Sequence, residues 1–289
     1  MPSYQLDGVP LDHPAGCWRL KRGTQRRPIP GARTIKVSVP GRPGDIPIVG
    51  LDLDATSFGL TFVVTGATPA GANGGYEQME RNLEALTALL GVRHRLMPLQ
   101  YTAGSLVRVT DVTITSLSEP EINSGAARAK VVAIVEVPGV LWRDAAVTTW
   151  AGSPNSLGQT VTTLTGSTGP ITDALIRITG PAGSPQVGDV ATGGWVLRSG
   201  SVAAGQRLLF DCKQMRAALV TTDTWDVDNG TAVTGQVDAI GPGSAFRWLH
   251  LTPTIAPGDP FTRTVKVSSA ATGTNGSSLL EIRAARSYL

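Results

Sequence analysis

Side chains able to do acid–base or nucleophilic chemistry are few in this chain, and they are scattered. A general base needs a histidine or a perturbed carboxylate beside a nucleophile. The three histidines, His13, His94 and His250, lie far apart, and none sits in an HxxxH or similar metal spacing. His250 falls on the opposite strand face from Leu249 and Leu251, which suits a surface or partner contact. His94 follows a helix end, where the helix dipole favours it. No Gly-x-Ser-x-Gly elbow and no phosphate-binding glycine loop occurs. These residues argue against an enzyme and against a cofactor.

Asp223-Thr224-Trp225-Asp226-Val227-Asp228-Asn229-Gly230 places alternate acids before a glycine, a pattern that can ligate calcium. The remaining ligands and the distal glutamate are missing, and an Asn-Gly hairpin turn accounts for the stretch with less. No metal site is expected. Trp195, Trp225 and Trp248 all fall in the second half, where aromatic rings on a sandwich face can stack on sugars or simply pack. Cys17 and Cys212 are the two cysteines; they form no CxxC and no disulfide framework, and both are expected to be reduced.

The strongest charge signal is a run of cations. No acid occurs between Asp12 and Asp45, a span that holds Arg19, Lys21, Arg22, Arg26, Arg27, Arg33, Lys36 and Arg42. Such a run makes a local field that suits phosphate or an acidic protein surface. Aromatic interleaving is poor, which argues against stacked single-stranded nucleic acid. The net charge of +3 is too weak to add to the case.

One helix and many strands must position these groups. From Tyr76, the apolar residues Met79, Leu83, Leu86 and Leu90 recur at spacings of three and four, which predicts an amphipathic helix over 76–90. Asn73 is the expected N-cap and Gly91 the expected left-handed stop. Its stripe must lie on a sheet, while Glu77, Glu80, Arg81 and Glu84 face outward. Strict alternation predicts strands at Thr34–Val39, Ser57–Thr65 and Ala129–Val137, the last of them central because Val132 and Ile134 make its second face apolar. Asp7-Gly8 predicts a tight hairpin, with Pro10 on an edge. Ile46–Val49 reads as a short strand, and a further strand runs to Thr102 past Pro98. Between Val109 and Val112 the apolar phase slips, which predicts a β-bulge near Asp111.

The chain has 34 Gly and 20 Pro in 289 residues, and turn signals recur throughout, which favours antiparallel β architecture in two domains. The small-residue stretch from Ala151 to Pro170 marks the boundary. Expected are a β-barrel or split-sheet domain with one α-helix over 1–148, a linker over 149–170 and a β-sandwich or jelly roll over 171–289. The segment Leu279–Tyr288 can finish the sandwich or return to the first domain. Charged residues are only 16% of the chain, as suits a surface buried in an assembly. The N-terminus lacks the pattern of a signal peptide, and no apolar run approaches the ~18 residues of a membrane-spanning helix.

The order of these pieces carries a resemblance: the hairpin Tyr4–Leu11, Pro40-Gly41-Arg42-Pro43-Gly44, one helix, Ser118-Glu119-Pro120, and Val137-Pro138-Gly139-Val140-Leu141-Trp142-Arg143-Asp144. Then follow Ile176-Arg177-Ile178-Thr179-Gly180-Pro181, Gly193-Gly194-Trp195, Leu209-Phe210-Asp211-Cys212 and Trp248-Leu249-His250-Leu251-Thr252-Pro253. The chain resembles the distal tail protein, a minor tail protein, of non-contractile long-tailed bacteriophages in its actinobacteriophage form. The resemblance implies a belt domain that closes into a homohexameric ring and a galectin-like sandwich outside it. It implies a structural role in the virion at the distal end of the tail, after synthesis in the host cytoplasm. The partners implied are the chain itself, the tail tube protein, the tail-tip hub protein, the tape-measure protein in the lumen and DNA in passage, with no membrane. Arg19, Lys21, Arg22, Arg26, Arg27, Arg33 and Arg42, with Glu77, Glu80, Arg81 and Glu84, are then candidate contacts with a neighbouring copy or the tube. The alternative is a carbohydrate-binding sandwich for host cell-wall attachment, with Trp195, Trp225 and Trp248 facing the sugar.

Overall fold

A computed structural model of the chain describes residues 3–21, 24, 29–33, 52–92, 94–241, 248–256 and 258–289. Among the described residues, strands hold 51% and helices 11%, so the fold is mainly β with curled sheets that form a half-barrel. The chain divides into two compact units, Met1–Trp142 with Leu289, and Arg143–Tyr288.

The first unit runs β1 (Ser3–Leu6), β2 (Val9–Pro10), β3 (Trp18–Leu20), β4 (Ala32–Arg33), β5 (Asp52–Leu53), β6 (Thr56–Thr65), α1 (Gly75–Leu90), β7 (Met97–Ala103), β8 (Leu106–Leu117), β9 (Glu121–Asn123) and β10 (Arg128–Val137). Its main sheet has the order β2-β1-β7-β8-β10-β6-β3, with β9 also on β10. Asp7 and Gly8 both take positive φ, 53° and 79°, which closes the expected hairpin and leaves Pro10 on an edge. In β6, Phe58, Leu60, Phe62 and Val64 are buried; in β10, Ala129, Val131, Ala133, Val135 and Val137 are buried. β10 lies between β8 and β6, central as expected. Pro98 is tolerated inside β7 because its carbonyl faces Asp7 N at 2.9 Å, just past the last β1 pair, Leu6↔Leu99.

Three local expectations are corrected. The β7–β8 register runs without a break from Met97↔Val112 to Ala103↔Leu106, so no bulge occurs at Asp111. Polar Arg108 and Thr110 occupy the inward positions there, and the register shift comes later, where Ile134↔Ser116 gives way to Val135↔Ile114. The N-cap of α1 is Gly74, not Asn73; Asn73 Oδ1 accepts from Gly75 N at 3.1 Å. Gly91 is right-handed, with φ −81° and ψ −2°. Of the apolar stripe, Met79, Leu83, Leu86 and Leu90 are buried against β6 and β10, while Tyr76 is 44% exposed. The strands expected at Thr34–Val39 and Ile46–Val49, and the turn at Pro40–Gly44, lie outside the described residues.

From β11 (Trp142–Asp144) the chain enters the second unit: β12 (Thr148–Gly152), β13 (Ser156–Thr160), β14 (Leu175–Thr179), β15 (Ala182–Asp189), β16 (Trp195–Arg198), β17 (Ser201–Val202), β18 (Arg207–Asp211), β19 (Arg216–Val220), β20 (Thr231–Ala232), β21 (Val237–Ile240), β22 (Thr254–Ala256), β23 (Asp259–Thr264), β24 (Lys266–Thr272), β25 (Leu279–Ala284) and β26 (Ser287–Tyr288). One sheet has the order β12-β25-β14-β18-β19-β20 and the other β13-β24-β15-β16-β21, with β17 on β15. Ile176, Phe210, Leu280 and Ile282 from the first sheet and Val187, Val196 and Val267 from the second meet in one core, which makes this unit a two-sheet sandwich.

The stretch 149–170 is not a free linker. β12 pairs with β25 and β13 with β24, while Val161 and Leu164 are fully buried. Small residues hid these strands because edge pairing needs mainly backbone. The C-terminal segment completes this unit: β25 pairs with β14, and Asp144 N donates to Arg286 O at 3.0 Å.

Candidate functional site

In the first unit, the core face of β6 leaves Thr61, Val63 and Thr65 pointing outward, and its neighbours present cations on that same side. Arg19 of β3 stands opposite Val63, Lys130 of β10 stands opposite Val63 from the other flank, and Arg128 stands opposite Thr65. Lys21 N donates to Thr61 O at 2.8 Å, which continues the row one step beyond β3. Arg19, Lys21 and Arg128 are exposed. Lys130 is engaged, its Nζ 2.8 Å from Glu121 Oε1.

Part of this face is concave. A cleft of about 880 Å³ opens at the end of β6, walled by Arg19, Val63, Thr65, the 66–76 loop and the 124–128 turn. Glycines shape its walls: an added Cβ on Gly66 would lie 2.3 Å from Gly75 O, and one on Gly16 would lie 2.8 Å from Arg19 Nη2. Among the described residues, no acid lines the cleft.

The run of cations thus resolves into two described side chains, Arg19 and Lys21. Arg33 belongs to β4, and Arg22, Arg26, Arg27 and Arg42 lie outside the described residues. Sequence reasoning missed Arg128 and Lys130 as their companions. The signal was present in the strict alternation of β10, which sends its even-numbered residues to the outer face.

The outer face of α1 is solvated as expected. Glu77, Arg81 and Glu84 are exposed, and Glu80 is half-buried. Arg81 Nη2 lies 2.5 Å from Glu77 Oε1. The hydrogen bond between the Tyr76 hydroxyl and Glu80 is the main cause that raises the phenol pKa above its ordinary value.

The three tryptophans do not form one platform. Trp248 is 8% exposed and packs edge-on against Phe210 in the sandwich core, at 6.1 Å between ring centroids. Trp195 sits in β16 of one sheet, while Trp225 covers the outer face of the other, its ring 4.3 Å from the Arg177 guanidinium carbon. The acids of the Asp223–Gly230 stretch are likewise taken. Asp223 pairs with Arg177 and Asp228 with Arg216, while Asp226 accepts from Asp228 N and Asn229 Nδ2. Residues Val227–Asn229 form a 3₁₀ turn and Gly230 is extended, so the Asn-Gly hairpin is also absent. No cluster of three or more metal-binding side chains occurs among the described residues. His13 lies edge-on against Trp18, and its Nδ1 accepts from Ala15 N at 3.2 Å. His94 is exposed and His250 half-buried.

No protein-family model matches the chain, and no curated protein matches it. Among solved structures, the phage P2 baseplate in its activated conformation with Ca is matched over 99% of this chain and 98% of that one. That match has 8% identity and a TM-score of 0.41, too low to argue from. The SPP1 Dit (gp 19.1) protein, a paradigm of the hub adsorption apparatus in phages infecting Gram-positive bacteria, is matched over 100% of both chains at 12% identity, with a TM-score of 0.64. This chain therefore shares the fold of the SPP1 Dit protein along its whole length.

Proposed function

We propose that this chain is a structural protein of a phage tail tip. In this reading the first unit closes into a homohexameric ring at the distal end of the tail, and the ring joins the tail tube to the tip hub. The observation that carries the reading is the end-to-end fold likeness to a phage hub protein, helix-bearing sheet and sandwich included. The order of sequence pieces from Tyr4 to Pro253 also supports it. The sheet of the first unit also ends on two short strands, β2 and β3, and edge strands can pair between copies of a cyclic assembly.

In such a ring the outer face of α1, with Glu77, Glu80, Arg81 and Glu84, meets a neighbouring copy or the tube. The lumen takes the tape-measure protein and later passes DNA, and the sandwich, in a galectin-like role, faces outward. The scattered positions of Trp195, Trp225 and Trp248 give no support to sugar binding. Immunogold electron microscopy of intact virions tests the reading. Antibody to this chain should mark the tail end away from the capsid, and native mass spectrometry of the purified chain should show a hexamer. Label on the capsid or along the tube, or its absence from virions, would refute the proposal.

A further inference from the structure

We infer that the cleft at the end of β6 is a docking site for an acidic protein segment, with Arg19 and Arg128 as the paired cations that receive its carboxylates. This stands on the cleft alone and does not depend on the tail-tip reading. Arg19 and Arg128 come from strands on opposite flanks of β6, opposite Val63 and Thr65 on the same outward face, so their side chains border one concavity from two sides. Neither makes an ion pair among the described residues.

What sets the pair apart is the recess: exposed Lys21, Lys213 and Lys266 also make no ion pair among the described residues, but none of them lines the cleft. Arg81, Arg95, Lys130, Arg216 and Arg286 each have a carboxylate partner. Unpaired guanidinium groups in a recess without acids attract carboxylates, and an arginine fork can hold a carboxylate through two hydrogen bonds. Serine and glycine backbone at 124–125 and the 71–75 loop complete a polar wall.

The occupant is a protein segment and not a nucleic acid for two reasons. A phosphate backbone needs a longer row of unpaired cations: among the described residues Lys130 is committed to Glu121, and Lys21, which continues the row beyond Arg19, does not line the cleft. Base stacking needs exposed rings, and the cleft offers one, Tyr76 at its lip. Its volume and open form suit a loop or strand end that enters from a partner surface.

The test uses the purified full-length chain and a fluorescent oligo-glutamate peptide, read by anisotropy at low salt. Binding should weaken at least about tenfold in Arg19→Glu and in Arg128→Glu, and should change little in Lys213→Glu, an exposed charge reversal in the second unit. Arg19→Gln and Arg128→Gln, which keep much of the stem, are measured beside them, so a charge-reversed chain that fails to fold does not decide the matter. Inorganic phosphate and a DNA duplex serve as competitors. The inference is overturned if the wild-type chain does not bind the peptide. It is equally overturned if Lys213→Glu weakens binding as much as the arginine changes do. A duplex that binds more tightly than the peptide through the same two arginines would make the cleft a nucleic-acid site instead.

Discussion

Arg177 and Glu281 stand directly opposite each other on β14 and β25, and Arg177 grips both carboxylate oxygens, Nε to Oε2 at 2.7 Å and Nη2 to Oε1 at 2.9 Å. The remaining Nη1 reaches Asp223, and the Trp225 ring lies over the guanidinium. Hydrogen bonding to Glu281 is the main cause that raises the arginine pKa further. The Arg177 and Glu281 side chains are 8% and 13% exposed, so the pair is shielded from solvent.

Removal of one partner from such a pair strands the other charge. Glu281→Ala should therefore destabilise the second unit by about 3–5 kcal/mol, measured by urea unfolding. Trp225→Ala should cost less, about 1–2 kcal/mol for the lost cation–π contact. A loss below about 1 kcal/mol for Glu281→Ala would mean that Asp223 and water compensate for the missing carboxylate.

Asn82 plays the corresponding part in the first unit. It is 5% exposed, its Nδ2 donates to Thr65 O at 2.8 Å and Ala67 O at 2.7 Å, and its Oδ1 accepts from Gln78 Nε2 at 2.9 Å. These bonds tie α1 to carbonyls at the end of β6 and just past it. Asn82→Ala leaves those carbonyls without their donor and should cost about 1–3 kcal/mol. Asn82→Asp should cost more, because a carboxylate would face two carbonyl oxygens. Thermal unfolding ranks the two variants; an aspartate as stable as the alanine would show that the helix end relaxes away from the strand.

Asn82 also shows where sequence reading stops. The apolar alternation of Phe58–Val64 and Ala129–Val137, and the stripe from Met79 to Leu90, were legible because each element buries one face, and burial writes its period into the residues. Asn82 sits beside the helix stripe, and nothing local separates an anchoring asparagine from a solvated one. The same limit misplaced the bulge. Arg108 and Thr110 point inward, and Thr110 Oγ1 donates to Leu141 O at 3.0 Å, so polarity there did not mean exposure. The site was legible in part: Arg19 stood out by the absence of nearby acids, but its pairing with Arg128, 109 positions on, exists only because β3 and β10 both flank β6.

Asp189 supplies a dependence on pH. It is 1% exposed, and burial raises its carboxyl pKa, opposed by hydrogen bonds from Thr192 Oγ1 and Thr252 N. A raised value in the folded chain means that folded Asp189 takes up its proton at higher pH than unfolded Asp189. This group's contribution thus becomes more favourable to folding as pH falls through the raised value toward 3.8. The stability difference between the wild-type chain and Asp189→Asn should accordingly shift toward the wild type as the pH is lowered from neutral. A difference that stays flat or moves toward the variant would show that the hydrogen bonds outweigh burial.

Cys17 and Cys212 give each unit its own reporter. Both are buried, at 1% and 0% exposure, and burial pushes the Cys212 thiol up to about 12. Burial keeps alkylating reagents from both thiols, so neither should label in the native chain at neutral pH. Cys17 belongs to the first unit and Cys212 to the second. In rising urea, the label at each position, located by mass spectrometry after digestion, should follow the opening of its own unit. Glu281→Ala should bring Cys212 labelling to lower urea and leave Cys17 where it was, and Asn82→Ala should do the reverse. If either variant moved both cysteines together, the two units would unfold as one cooperative body, and the stability losses of Glu281→Ala and Asn82→Ala would belong to the whole chain.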